Sequence, residues 1–201
     1  DAPTTHWTGA EHQLLGVVTV DGVPYRFLGQ AGVEKKFIAR MSDKTGWPAT
    51  YTLTKPAGKW YNRDYDDSKW TKGEGGFGSE SRKPMIHTVW DGPELWVRRD
   101  FTIDGPLPSN EIDLFVRTNE YGTVYINGIK VCDSDKTAGN YIRLSEEVVS
   151  TLVTGKNIIA AYCANPTGSA RLDVALAASI RQTNEFEQTA TQLYADVQAM
   201  Q

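Results

Sequence analysis

The sequence predicts an all-β fold, a β-sandwich with flanking strands and one short helix. Two turn dipeptides, Asp21-Gly22 and Asn127-Gly128, divide the β-branched segments Gly16–Phe27 and Val124–Val131. Asp-Gly and Asn-Gly supply the two positive φ angles of a type I′ turn, so each dipeptide indicates a β-hairpin. Short strands that recur with turn signals between them are typical of a sandwich.

Five further segments are alternating or wholly apolar, and they predict additional strands: Trp47–Leu53, Leu95–Ile103, Ile112–Arg117, Asn157–Cys163 and Leu172–Leu176. The segment Asn157–Cys163 is apolar on both faces, which predicts a buried, central strand. In Leu95–Ile103, successive side chains point to opposite faces, so Arg98 and Arg99 are separated. We expect one of them to pair with Asp100 or Asp113 on the sheet surface.

One short helix is predicted after Ser145. This serine is a favourable N-cap, and Glu146 and Glu147 place negative charge in the first turn. The helix is expected to end between Leu152 and Gly155.

The segment Gly58–Lys83 is rich in aromatic residues and glycine. Its length and composition predict a loop that is packed by its own side chains rather than by regular structure. We expect Trp60 and Trp70 to be largely buried, and Asp66 or Asp67 to accept backbone hydrogen bonds.

The carboxylates of Asp64, Asp66 and Asp67 have two interpretations. In the favoured one, they hold the loop's own amides. In the other, they bind calcium, which prefers carboxylate and carbonyl oxygens, although the spacing does not match an EF-hand loop. No other cofactor is indicated.

The composition excludes several classes of function. The chain has 201 residues, of which 40% are hydrophobic and 23% charged, and its formal net charge is −4. Such a chain folds, and its mild acidity argues against nucleic acid as a partner. No apolar run has the length of a transmembrane helix. No signal peptide is recognised, although Asp1 fits the position after a removed one.

The two cysteines, Cys132 and Cys163, also have two interpretations. They form a disulfide, which their spacing does not establish, or they are two buried thiols. The second is favoured because free cysteine is commonly buried.

Six motifs follow one another along the chain: Trp60, Tyr65–Trp70, Gly76–Gly78, Leu95–Phe101, Val124–Gly128 and Leu152–Ala160. In this order they resemble the sugar-binding domain of glycoside hydrolase family two, over roughly residues 45–180. The resemblance implies a galactose-binding-like jelly roll. It also implies a non-catalytic domain that supports a catalytic barrel.

The two ends carry other motifs, His6–His12, Val20–Gly29 and Thr189–Gln201. These resemble the N-terminal region of glutaminase A-like proteins of gut-type bacteria. The resemblance implies a fragment of a secreted or periplasmic multi-domain hydrolase that lacks its catalytic part. It makes Tyr194–Gln201 a strand, against a helical spacing of apolar residues.

From these motifs we expect three segments: a hairpin segment of a neighbouring β-domain at 1–44, the jelly roll at 45–180, and a trailing strand or linker at 181–201.

We expect no catalytic or metal site in this chain. His87, Asp91 and Glu94 are candidates for catalysis by residue type only, and no Gly-x-Ser-x-Gly elbow is present. His6 and His12 lack a third zinc ligand at a suitable spacing.

Exposed aromatic side chains that stack on sugars are the remaining candidates for binding. Trp90, Asp91, Tyr121 and Tyr141 lie in or beside predicted loops, although each is more often a packing residue. The main hypothesis is therefore a non-catalytic accessory module whose partners are other domains of a parent hydrolase. The alternative is an autonomous carbohydrate-binding module.

Overall fold

The computed structural model of the chain describes residues 13–20, 23–29, 33–43, 45–79, 86–118, 121–134, 139–166 and 171–181. They fall into two compact units, one within 1–34 and 180–201, the other Lys35–Ser179. His6, His12 and the predicted strand at 194–201 lie outside the described residues. The predicted domain borders stay a prediction.

The described residues form strands and one helix, which confirms the all-β prediction: β1 (Gln13–Val20), β2 (Val23–Gly29), β3 (Val33–Ala39), β4 (Pro48–Thr52), β5 (Thr71–Glu74), β6 (Phe77–Gly78), β7 (Thr88–Val89), β8 (Glu94–Ile103), β9 (Ile112–Thr118), β10 (Gly122–Ile126), β11 (Ile129–Ser134), β12 (Asn140–Arg143), α1 (Glu146–Ser150), β13 (Gly155–Ala164) and β14 (Arg171–Arg181). The helix is neither long nor apolar enough to cross a membrane.

In the first unit, β1 and β2 form an antiparallel hairpin. Val20 is paired with Val23, and the register shifts between Leu14 and Gly16. The strands of the first predicted hairpin are therefore confirmed, while its turn dipeptide lies outside the described residues.

The second unit is a sandwich of two sheets. Sheet I has the strand order β11-β10-β13-β8-β4-β5, and sheet II has the order β12-β9-β14-β6-β7, with β3 also paired with β14. The predicted central strand, β13, lies between β10 and β8. β6 and β7 pair in parallel.

One apolar core joins the inner faces of both sheets. Sheet I contributes residues such as Leu95, Val97 and Ile159, and sheet II contributes Leu114 and Val174. These side chains occupy alternate positions on their strands, as the sequence pattern predicts, so burial of one face holds each sheet against the other.

The second predicted hairpin is confirmed, and its turn also has a tertiary role. Asn127 and Gly128 adopt φ angles of 48° and 96°. The side-chain amide Nδ2 of Asn127 donates to Thr151 O at 2.8 Å and to Asn157 Oδ1 at 2.9 Å. The turn is thereby tied to the connection between α1 and β13.

The helix starts as predicted, because the Ser145 side chain accepts a hydrogen bond from Val148 N. It ends at Ser150, with Thr151 as C-cap, slightly earlier than expected. Val148 is buried in the core.

The prediction that Gly58–Lys83 lacks regular structure is wrong for its second half, which contains β5 and β6. β5 pairs with β4, and β6 pairs with β14. Gly75, between these strands, lies against the Trp47 indole, where an added Cβ would be 1.9 Å from the ring. Only glycine fits this contact. The hydrogen bonds of β5 and β6 come from β4 and β14, which are distant in sequence.

Both cysteines are thiols in the structure. Cys163 lies in the core, and burial raises the pKa of the Cys132 thiol to about 11. The favoured interpretation of the cysteines is therefore confirmed for Cys163, and Cys132 is partly buried.

Arg98 and Arg99 do point to opposite faces, but both are buried. Arg99 donates to Val174 O at 2.6 Å and lies over the Trp47 ring. The expected surface pairs are wrong: Lys156 pairs with Asp100, and Lys35 and Arg143 pair with Asp113.

Candidate functional site

The outer face of sheet I carries two neighbouring rows of side chains, because adjacent strands are in register. The first row is Asp133, Thr123, Tyr162 and Trp96, and the second row is Lys130, Tyr125, Ala160, Arg98 and Thr50. Residues two positions apart on a strand share a face, so both rows point away from the core.

The second row is covered by an aromatic cap, which we define as Trp60, Tyr61, Tyr65 and Trp70. Trp60 is 9% exposed, and its ring centroid lies 6.4 Å from that of Trp70, which is half-buried. Tyr61 stacks on Tyr125 of the second row at 4.3 Å. The cap rings therefore pack on one another and on the sheet.

Arg98 anchors the cap from below. Its side chain is 2% exposed and donates to the carbonyl oxygens of Trp60 and Asn62, the latter at 2.9 Å. Its Nε also donates to Asp67 Oδ2 at 2.9 Å. One guanidinium thus satisfies loop carbonyls that would otherwise be buried without a partner.

Two acidic residues of this loop, Asp66 and Asp67, are bonded within the protein. Asp66 Oδ1 accepts from Ser68 N at 3.0 Å, and hydrogen bonds from Ser68 lower the pKa of Asp66. Asp67 accepts from Arg98 and from Thr50 Oγ1. Asp66 thus holds a loop amide, as the self-capped interpretation predicts, whereas Asp67 is bonded to side chains of β4 and β8. No three metal-ligating side chains cluster in the described part of the chain, and calcium near Asp64 stays a prediction.

The first row leads to a group that we call the tyrosine patch, of which Tyr121 and Asp133 are exposed: Tyr121, Thr123, Asp133, Tyr162 and Glu94. Tyr121 is 46% exposed, and its hydroxyl donates to Asp133 Oδ1 at 3.1 Å. Thr123 Oγ1 donates to the same oxygen at 2.9 Å. The Lys130 ammonium pairs with Oδ2 and is the main reason why the pKa of Asp133 is lowered.

Tyr162 connects the patch to Trp96, in the apolar cluster that also contains the cap residues. Its hydroxyl donates to Glu94 Oε1 at 2.7 Å. Its ring lies 5.2 Å from Trp96 and 6.3 Å from Tyr121, with an interplanar angle of 62° to the latter. Burial, followed by the Glu94 hydrogen bond, raises the pKa of Tyr162, so the phenol stays a neutral donor.

A β-bulge in β11 directs the charged residues of the patch. The register leaves Val131 as an extra residue, and Val131 and Cys132 both pack against the core. Lys130 and Asp133 therefore both face outward, although they are three positions apart in a strand. Bulges commonly re-aim side chains in this way.

Two cavities border the cap. One, of about 590 Å³, is lined by Asn62, Asp64 and Asn127, among others, and one of about 370 Å³ by residues including Lys72 and Asp100. Neither has an aromatic side chain in its described lining. Neither offers the ring surface on which a sugar stacks.

The other predicted binding residues do not join this patch. Trp90 is 2% exposed in the core, so its ring offers no face to a ligand, which corrects that expectation. Asp91 is exposed beside it. Tyr141 is 43% exposed on β12 of sheet II, where it packs on Phe115 under the Lys35 ammonium.

The residues suggested for catalysis by type have separate partners. His87 Nε2 lies 3.2 Å from Asp43 O, and Glu94 is bonded to Tyr162. Sequence reasoning missed Asp133, Thr123 and Tyr162 as members of a site. The bulge and the strand order that unite them have no local signal in the sequence.

No protein-family model and no curated protein sequence matches the chain. Similar solved structures include a β-glycosidase from Bacteroides vulgatus, with 16% identity, a TM-score of 0.45 and 68% of this chain covered. A glycosyl hydrolase family 2 member from Bacteroides cellulosilyticus has 14% identity, a TM-score of 0.47 and 65% covered. A β-glucuronidase from Bacteroides uniformis has 16% identity, a TM-score of 0.49 and 75% covered. The chain spans only 20%, 20% and 18% of those proteins, respectively. Likeness at this level identifies neither a family nor an activity for this chain.

Proposed function

We propose that the chain is a non-catalytic β-sandwich module of a larger exported hydrolase, where it frames the catalytic domain. The aromatic cap carries this proposal. The motif from Trp60 to Trp70 is packed on itself and anchored by the buried Arg98. The aromatic side chains of this motif thus pack against the sheet, and Arg98 is used to hold the loop rather than to act on a substrate.

The distribution of acids and histidines supports the same function. A glycosidase needs two carboxyl groups about 5–10 Å apart across a cleft. Asp67 is engaged by Arg98, and Glu94 by Tyr162. His87 contacts a backbone carbonyl. Asp67, Glu94 and His87 thus each make a contact within the sandwich. A glutaminase-like or glycosidase-like activity is proposed for the parent on sequence resemblance alone.

The test is turnover of glutamine and of a panel of chromogenic aryl-glycosides by the purified chain at high protein concentration. We expect rates equal to the buffer background. Glu94→Gln and His87→Ala serve as controls for any rate above background. Turnover that disappears in either variant would place a catalytic site in this chain and refute the accessory function.

A further inference from the structure

The turn between β10 and β11 joins a reactive sequence to a side chain that the fold holds in place. Asn127 is the only asparagine in the sequence that is followed by glycine. We propose that Asn127 is a deamidation site that the native fold keeps closed, and that its conversion to an acid weakens the sandwich. This goes beyond the framing function, because it sets how long the module survives once the turn opens.

Deamidation needs only the chain and water. The backbone nitrogen of the following residue attacks the asparagine Cγ, so that a bond from N to Cγ forms and the bond from Cγ to Nδ2 breaks. The proton of that nitrogen leaves with Nδ2 as ammonia, and water opens the resulting succinimide ring to aspartate or isoaspartate. Asparagine is counted among the thermolabile residues. Glycine favours the attack, because it has no Cβ to obstruct the approach and its backbone is permissive.

The native hydrogen bonds of Asn127 oppose this reaction. Its Nδ2 donates to Thr151 O at 2.8 Å and to Asn157 Oδ1 at 2.9 Å. Its Oδ1 accepts from Ile158 N at 3.0 Å, and its backbone N donates to Ile158 O at 3.1 Å. Turning Cγ towards Gly128 N breaks the side-chain bonds, so the attack requires a local opening of the turn.

Hydrogen bonding, rather than exclusion of water, provides this protection. Asn127 and Gly128 are both half-buried, and both line the cavity of about 590 Å³ beside the cap. Water for the ring-opening step is therefore close to the turn. The rate of conversion then follows the fraction of time for which the side chain is released.

The product does not fit the native site. A carboxylate oxygen replaces Nδ2 and faces Thr151 O and Asn157 Oδ1, which are both acceptors. Asn157 is fully buried, and its Oδ1 also accepts from Val153 N at 3.0 Å. Its Nδ2 donates to Val153 O at 2.7 Å and to Gly155 O at 3.0 Å, so reversing this amide loses all of these bonds. Buried acceptors without a donor are costly, and conversion of Asn127 therefore destabilises the fold.

The first experiment compares deamidation of the full chain in native buffer and in unfolding urea at one mildly alkaline pH, by peptide mapping with mass spectrometry. Asn127 should convert at least about tenfold faster in urea, because the native bonds are then absent. Asn157 is the control within the same chain, since the branched side chain of Ile158 follows it and obstructs the attack. Equal rates at Asn127 in the two conditions, or conversion of Asn157 in urea as fast as that of Asn127, would overturn the proposal.

The second experiment measures the cost of the product by thermal melts. Asn127→Asp should lower the Tm by at least about 3 °C at neutral pH. Asn140→Asp is the matched control, because it adds the same charge at an exposed asparagine and should leave the Tm unchanged. If Asn127→Asp does not fold, the deamidated native chain, separated by ion exchange through its extra negative charge, takes its place. An unchanged Tm for the acid at position 127, or an equal loss in Asn140→Asp, contradicts the inference.

Discussion

The aromatic cap and the tyrosine patch lie on neighbouring rows of one sheet face, yet they are used in opposite ways. In the cap, Trp60 is buried and Arg98 holds the loop carbonyls from below. In the patch, Tyr121 is nearly half exposed, and its polar partners are directed by strand register and a bulge. A high density of aromatic residues in the sequence therefore marks the structural region, and a sparser set marks the exposed surface.

The largest effect is expected for Arg98→Ala, which tests whether the cap is held by one anchor. The variant leaves the carbonyls of Trp60 and Asn62 and the Asp67 carboxylate without this donor. Leaving buried acceptors without a donor costs about 1–3 kcal/mol each, so the loss should be about 3–5 kcal/mol. Urea unfolding followed by tryptophan fluorescence measures the loss.

The matched control for Arg98 is Lys156→Ala, which removes an exposed ion pair with Asp100 on the same strand as Arg98. Its effect should be below about 1 kcal/mol. Equal destabilisation by the two variants would show that the cap does not depend on a buried anchor.

Truncation of single rings sharpens the comparison between the two regions. Trp60→Ala should reduce the free energy of unfolding by about 3–5 kcal/mol, because the ring is buried. Trp70→Ala should cost less, since that ring is half-buried. Tyr121→Ala should change stability by no more than about 0.5 kcal/mol, as for other surface substitutions. Thermal melts rank the three variants, and a loss for Tyr121→Ala equal to that for Trp60→Ala would contradict the exposed patch.

The smallest effect is expected from acid. The Lys130 hydrogen bond, with those of Thr123 and Tyr121, lowers the pKa of Asp133 below its ordinary 3.8. A depressed folded-state pKa means that this stabilisation is present above the unfolded value and is lost as pH falls through the folded one. Asp133→Asn should thus have a slightly lower Tm than the native chain at neutral pH, with a difference that starts to shrink as the pH falls below 3.8 and is gone once the pH is under the folded-state pKa. A difference that grows in acid would refute the assignment.

Much of the sandwich is local in origin and was predictable. The alternation from Leu95 to Ile103 and the Asn127-Gly128 turn each produced the expected element. The prediction that Gly58–Lys83 lacks regular structure failed for a physical reason. The strands β5 and β6 form because β4 and β14 present hydrogen-bonding edges, and neither edge is visible within Gly58–Lys83 itself.

The candidate site was less predictable than the fold. Tyr121 was identified, but Trp90 has a similar local sequence context and is buried. Residue type and turn context do not say which aromatic ring the core absorbs, because burial depends on which strands lie beside it.

The sequence by itself determined that long segments such as Leu95–Ile103 and Asn157–Cys163 are strands, where the second hairpin turns, and which side chains of Leu95–Ile103 share the apolar face. These properties follow from side-chain period and from the φ angles that Asn-Gly favours. Tertiary structure alone decided that Arg98 is an anchor and that Asp133, Thr123 and Tyr162 are neighbours. Their alignment requires a strand order and a bulge set by packing across the whole sandwich, since residues far apart in the chain meet only when both sheets have formed.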